Sequence, residues 1–138
     1  MIEVNLSGNN IGPECASMLF DTLQDHPSIV SLNISTIDQL RRNRIGAKGC
    51  VSLRTFLKRN KILTFLNIAD NSIGEEGLEY VIEGLKENKV LLSLDISNNG
   101  LSCNSIKRLT DTLLQSEIIE ISLKQNEVND KVLSLIKK

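Results

Sequence analysis

Side chains capable of chemistry are few in this chain, and they are scattered. Ile45-Gly46-Ala47-Lys48-Gly49 is the nearest approach to a glycine-rich phosphate cradle, but it lacks the GxxxxGK spacing that would aim backbone N–H groups and a lysine at one anion. His26 is the sole histidine and could move a proton near neutral pH, yet it stands directly before Pro27, where a helix end and a capping role are expected. Glu75, Glu76, Glu79, Glu83 and Glu87 could offer paired carboxylates. Their i, i+4 intervals instead describe one solvated helix side. Cys15, Cys50 and Cys103 form an odd set without CxxC spacing, and a single histidine does not complete a zinc site. All three thiols fall near the starts of periodic segments, so buried packing is expected, with a redox role as the alternative. No catalytic residue, cofactor site or metal site is assigned, and the chain is read as a non-enzyme.

Composition narrows the classes further. The chain has 138 residues, one domain's worth, with 41% apolar and 3% aromatic residues, so its core must be aliphatic. Sixteen basic residues face 17 acidic ones, a net charge of −1 that gives no general attraction to nucleic acid or anionic membrane. No apolar run approaches the ~18 residues of a membrane span. The start, MIEVNLSG, lacks the basic and apolar regions of a signal peptide. Unpaired cysteines fit a reducing, cytoplasmic setting.

The elements that position all these residues come from an internal repeat. Val4-Asn5-Leu6-Ser7-Gly8-Asn9-Asn10-Ile11-Gly12 reads apolar-x-apolar-x-x-Asn-x-apolar-Gly. The frame returns at Leu66 to Gly74, at Leu94 to Leu101 and at Ile121 to Val128, and a split copy opens at Leu32-Asn33-Ile34-Ser35 and closes at Asn43-Arg44-Ile45-Gly46. The marker asparagines Asn9, Asn43, Asn71, Asn99 and Asn126 are spaced 34, 28, 28 and 27 apart, the first interval holding a six-residue insertion over 36–41. Ten residues after each marker stands Leu19, Leu53, Val81, Leu109 or Ile136, and Leu23, Leu57, Leu85 and Leu113 follow four further on, which marks a buried helix face. Each unit therefore reads as a short strand, a tight turn and a helix. Its asparagine is suited to satisfying backbone groups in a turn that would otherwise be stranded. Gly12, Gly46 and Gly74 precede the helices, and small residues such as Gly49 and Gly77 let neighbouring helices approach closely.

This pattern resembles the leucine-rich repeats of the ribonuclease-inhibitor type, shared with NOD-like receptors, tropomodulin and the Ran GTPase-activating protein. The resemblance spans essentially the whole chain. It implies a single α/β domain over 1–138, a right-handed horseshoe solenoid of about four and a half repeats. A parallel sheet would line the concave face and helices the convex one. The units run over about 1–28, 29–61 with the insertion 36–41, 62–89, 90–116 and a partial 117–138, the last ending in a short helix from Asp130 to Lys138.

Strand alternation sends one column of side chains to the concave face at Glu3, Ser31, Phe65, Ser93 and Glu120. A second holds Asn5, Asn33, Asn67, Asp95 and Ser122, and a third Ser7, Ser35, Ala69, Ser97 and Lys124. Phe65 is the one large apolar residue among them, expected either to anchor a partner or to pack under the insertion. Charge alternates along the chain: residues 1–28 carry −4, 38–61 carry +7 and 70–88 carry −5. Rung-to-rung ion pairing across the outer helices is one reading of that alternation. A basic band docking an acidic partner is the other. Ile37 and Leu40 of the insertion would tuck onto the sheet or meet a partner.

The functional expectation is a non-catalytic protein-interaction module or scaffold. A protein partner of unknown identity would engage Phe65, Asn33, Asn67 and Asp95 on the concave face and Arg41, Arg42 and Arg44 on the loop rim, with no nucleic acid or membrane as partner. Two alternatives follow from the resemblance: a regulator of a GTPase or signalling enzyme, in the manner of the Ran GTPase-activating protein, or a structural part of a cytoskeletal or ciliary assembly. The first strand starts at Met1 without a polar cap, so the chain is expected either to be a piece of a longer array or to self-associate through that rung.

Overall fold

The structure, a computed structural model, describes residues 1–127. Strands β1 (Ile2–Asn5), β2 (Ile29–Asn33), β3 (Phe65–Asn67), β4 (Ser93–Asp95) and β5 (Glu120–Ser122) alternate with helices α1 (Pro13–Leu23), α2 (Gly46–Arg59), α3 (Gly74–Glu87) and α4 (Cys103–Leu113). The strands form one parallel sheet in consecutive order, β1 to β5. A parallel neighbour requires a crossover, and each helix supplies it on the same side of the sheet, so the architecture is the expected α/β solenoid. The expected final helix and Ile136 lie outside the described residues. No helix among the described residues is long and apolar enough to cross a membrane.

The core lies between sheet and helices and is aliphatic. Leu32, Ile34, Leu66, Ile68, Leu94 and Ile96 enter from the strand side, and Leu53, Leu57, Val81, Leu85 and Leu109 from the helices, all buried. The expected i, i+4 pairs are thus fully buried in the middle repeats. In the first repeat Leu19 and Leu23 are only half-buried, and Ala16 and Phe20 fill the interior instead. Phe20 packs on Phe56 with ring centroids 5.6 Å apart.

The marker asparagines form a ladder. The Oδ1 of each one from Asn43 onward takes the N–H of the residue two past the preceding marker: Ile11 to Asn43 at 2.8 Å, Ile45 to Asn71 at 3.2 Å, Ile73 to Asn99 at 3.4 Å and Leu101 to Asn126 at 3.2 Å. Each Nδ2 donates back to a carbonyl of the preceding repeat, at Leu6, Ile34, Ile68 and Ile96 respectively. One buried amide thereby joins two rungs whose turns would otherwise strand backbone groups. Asn9 is exposed, and its amide donates to Ser7 O. A second column, seventeen residues after each marker, was not singled out from sequence. His26, Asn60, Asn88 and Ser116 each accept an N–H from two residues on, closing the turn out of the helix. His26 therefore has the capping role expected of it.

Helix spacing is set by small residues. A Cβ at Gly77 would lie 2.8 Å from Ile73 Cβ and 3.3 Å from Ala47 Cα, and one at Gly84 would lie 2.8 Å from Leu57 Cβ, so α3 seats closely on α2. The expectation for the cysteines holds at Cys50, which is buried, with its thiol pushed up to about 12 by desolvation. It fails at Cys15, which is exposed, and at Cys103, which is partly exposed with Sγ 2.9 Å from Glu127 O. Cys15, Cys50 and Cys103 lie six, seven and four residues past their markers, so Cys50 shares the buried slot of Ala16 while Cys15 stands one residue off it.

Candidate functional site

The open face of the sheet carries two of the expected columns in register, while Ser97 of the third is buried. Strand register aligns Glu3, Ser31, Phe65, Ser93 and Glu120, and beside them Asn5, Asn33, Asn67, Asp95 and Ser122. Phe65 stands between Ser31 and Ser93 on the middle strand, 37% exposed. Asn33, Asn67 and Asp95 are half-buried, and each Oδ1 takes the N–H of the residue two on, at Ser35, Ala69 and Ser97, with distances of 2.9 to 3.0 Å. Their oxygens end the strands. This turn-closing use was not part of the sequence reading, although the i, i+2 spacing of Asn and Ser is the signal for it.

The insertion is an ordered loop just beyond this closing end of the strands. Ile37 N–H donates to Arg41 O at 2.9 Å. Asp38 Oδ1 receives the N–H groups of Leu40 and Arg41, and its Oδ2 pairs with the Arg41 guanidinium. That guanidinium, with the two N–H groups, holds the Asp38 carboxyl at about 2. Thr36 Oγ1 accepts from Asn43 N–H at 2.9 Å and lies 2.6 Å from Asp70 O, which fixes the base of the loop to the third repeat. The loop leans toward the first repeat. A Cβ at Gly8, whose φ is +67°, would lie 2.8 Å from Ile37 Cδ1 and 2.9 Å from Arg41 Cβ, so the loop rests on the bare glycine. Ile37 is half covered by this contact, and Leu40 remains 95% exposed.

Arg41, Arg42 and Arg44 therefore share the rim, while Phe65, at the opening end of its strand, belongs to the sheet face. Arg42 Nη1 donates to Gln39 at 3.0 Å and Nη2 stands 3.7 Å from Asp70. Arg44 is exposed and has no ion pair among the described residues. A cleft of about 400 Å³ separates the loop from the first turn, with Gly12 and Pro13 on one wall and Gln39, Leu40, Arg42 and Arg44 on the other.

Half of the basic band, four of its eight cations, faces the other way and is answered by acids on or just past the neighbouring helices. Lys48 pairs with Glu14 at 3.3 Å, Arg54 with Glu83 at 3.0 Å, Lys58 with Glu87 at 3.6 Å and Arg59 with Asp25 at 3.2 Å. Arg108 reaches Glu79 in the same manner. Equivalent positions of neighbouring repeats meet in Glu14 with Lys48 and Asp25 with Arg59, whereas Glu87 meets Lys58 rather than Arg59. Such exposed pairs guide register more than they stabilise. Arg54 also lies over the Tyr80 ring, 5.0 Å from its centroid.

Residues 1–20 and 59–81 match the family described as Leucine Rich repeat. No curated protein matches the sequence. The solved structure of leiomodin-1 actin-binding site 2 is similar in fold, with a TM-score of 0.81 at 17% identity, covering 98% of this chain and 78% of that one. The repeated strand, turn and helix and the parallel sheet in chain order give the chain a leucine-rich-repeat fold, and the family match covers two of its segments.

Proposed function

We propose that the protein is a non-catalytic interaction module that binds a protein partner across the open sheet face and the adjacent loop rim. The observation carrying this reading is Phe65, a half-exposed aromatic raised on the middle strand between two serines. An aromatic anchor ringed by small polar groups is the usual chemistry of an interface hot spot. The small residues around it leave room for a partner's side chains, and the turn-closing bonds of Asn33, Asn67 and Asp95 keep the face rigid, which limits the entropy lost on binding.

The test is site-specific photocrosslinking. Benzoylphenylalanine replaces Phe65 in one variant and the outer-helix residue Lys107 in another. Crosslinks to a protein from position 65 alone are expected, and Phe65→Ser should weaken binding of the recovered partner at least about tenfold. Equal crosslinking from both positions would remove the assignment of the face. The fold shared with leiomodin-1 actin-binding site 2 favours a cytoskeletal setting as the narrower reading, so filamentous actin is the first partner to assay by co-sedimentation.

Self-association through the first rung belongs to the same proposal. Strand β1 edges the sheet, Met1 is fully exposed and Ile2 is 45% exposed. Unpaired edges of this kind template association. Sedimentation velocity should show concentration-dependent dimers that Ile2→Lys abolishes. A monomer at every concentration would refute it.

A further inference from the structure

We infer that the cleft between the insertion and the first turn binds an acidic segment of a protein partner, with a carboxylate on Arg44 and Arg42 and a neighbouring apolar side chain against Leu40. The inference rests on the reading of the chain as a protein-binding module and moves the recognition chemistry from the sheet to the rim.

Charge accounting locates the site. Residues 38–61 hold eight cations and one acid. Lys48, Arg54 and Lys58 are each matched by an acid on a neighbouring helix, Arg59 by Asp25 in the turn after α1, and Arg41 by Asp38. Lys61 turns to Lys58 O at the far end of α2. Arg44 is the guanidinium left over. Arg42 beside it is bound by the neutral Gln39 and paired with Asp70 at 3.7 Å, with its Nε buried and unpartnered. No carboxylate lines the cleft. Arg44 thus brings an unmatched positive charge to a concave place beside Arg42, where two planar guanidinium groups suit a carboxylate.

The walls are built in advance. Asp38 closes the loop on itself, Thr36 fixes its base to the third repeat and Ile37 sits on Gly8. An ordered loop that nonetheless holds a leucine 95% in solvent offers an apolar contact at little entropic cost. That leucine is what favours a peptide over a polyphosphate. A nucleic-acid backbone has no apolar group to place against Leu40, and the overall charge of −1 gives a polyanion no long-range attraction.

Fluorescence anisotropy with a fluorescein-labelled peptide of alternating Asp and Leu tests this, with an alternating Lys and Leu peptide as control. The acidic peptide should bind the intact chain more weakly as salt is raised. Arg44→Glu should weaken it at least about tenfold and Leu40→Ser several-fold, since a charge reversal at a desolvated pair is costly. Lys107→Ser, on the outer face of α4, should leave it unchanged. The Arg44 side chain makes no hydrogen bond or ion pair among the described residues and its N–H bonds Ile11 O whatever the side chain, so circular dichroism of Arg44→Glu should match the parent. Equal binding of the two peptides, or an acidic peptide indifferent to Arg44→Glu, overturns the inference. Displacement of the peptide by polyuridylate or phosphatidylserine vesicles at equal charge also overturns it, in favour of a general polyanion site. Crosslinking from position 65 reads the sheet face separately. A partner captured there without peptide binding at the cleft retires this inference alone, and peptide binding without such a partner retires only the sheet-face reading.

Discussion

Replacing Asn71 by alanine should destabilise the fold by about 1–3 kcal/mol, and replacing Asn99 should cost more, about 3–5 kcal/mol. The difference follows from which backbone groups keep a second partner. Removing the Asn71 amide takes one of two donors from Ile34 O, which Asn43 Nδ2 still reaches at 3.0 Å, and one of two from Ala69 O, which keeps Thr36 N–H at 3.1 Å. Only the N–H of Ile45, a residue buried at 0% exposure, loses its sole acceptor. Removing the Asn99 amide strands three buried groups at once: the N–H of Asn71, the N–H of Ile73 and the carbonyl of Ile68. Each stranded group costs about 1–3 kcal/mol, and local relaxation keeps the sum below simple addition. Urea unfolding followed by circular dichroism measures both variants, with an unchanged m-value required for the comparison. A change within ~0.3 kcal/mol for Asn71→Ala, or a larger cost for Asn71→Ala than for Asn99→Ala, would refute the ladder's energetic role.

Four further outcomes are expected. A thiol reagent should modify Cys15 rapidly in the native protein, whereas Cys50, buried with its thiol pushed up to about 12, should react only after unfolding; fast native labelling of Cys50 contradicts its burial. Gly84→Ala should cost about 1–3 kcal/mol by thermal or urea unfolding, because its Cβ would lie 2.8 Å from Leu57 Cβ. In Asn99-Gly100 the Gly100 nitrogen can attack the Asn99 amide carbon, expelling ammonia to a succinimide that water opens to Asp or isoaspartate. Peptide mass mapping should find this in urea and not in the native state, where the Asn99 amide is held by three carbonyls. Asp38, with its carboxyl lowered from 3.8 to about 2, should hold the insertion at neutral pH and release it as pH falls through that window, and carboxyl chemical shifts with a midpoint near 4 would contradict the Arg41 clamp.

The sequence alone determined everything that depends on period. Five apolar pairs, each followed by an asparagine and then by aliphatics at helical spacing, leave one way to bury their faces. Each unit must stack on the next, so the sheet order, the side-chain columns on its open face and the ladder follow from counting. The second capping column at His26, Asn60, Asn88 and Ser116 was equally countable, but its chemistry is hidden because three residue types fill it and share only an acceptor atom. What the tertiary structure decided lies between repeats. Cys15 and Cys50 occupy neighbouring helix starts one slot apart, and the helix packing makes one exposed and the other buried. The sequence offers Lys58 and Arg59 equally to Glu87, and side-chain direction on adjacent helices awards it to Lys58. The insertion could lie over the sheet or over the first turn, and the missing side chain at Gly8 draws it to the turn. That leaning, together with the pairing of the other cations, leaves Arg44 facing an open cleft. Periodicity specifies contacts that recur in every unit, whereas exposure and ion pairing at a single place depend on distances through space that no local pattern encodes.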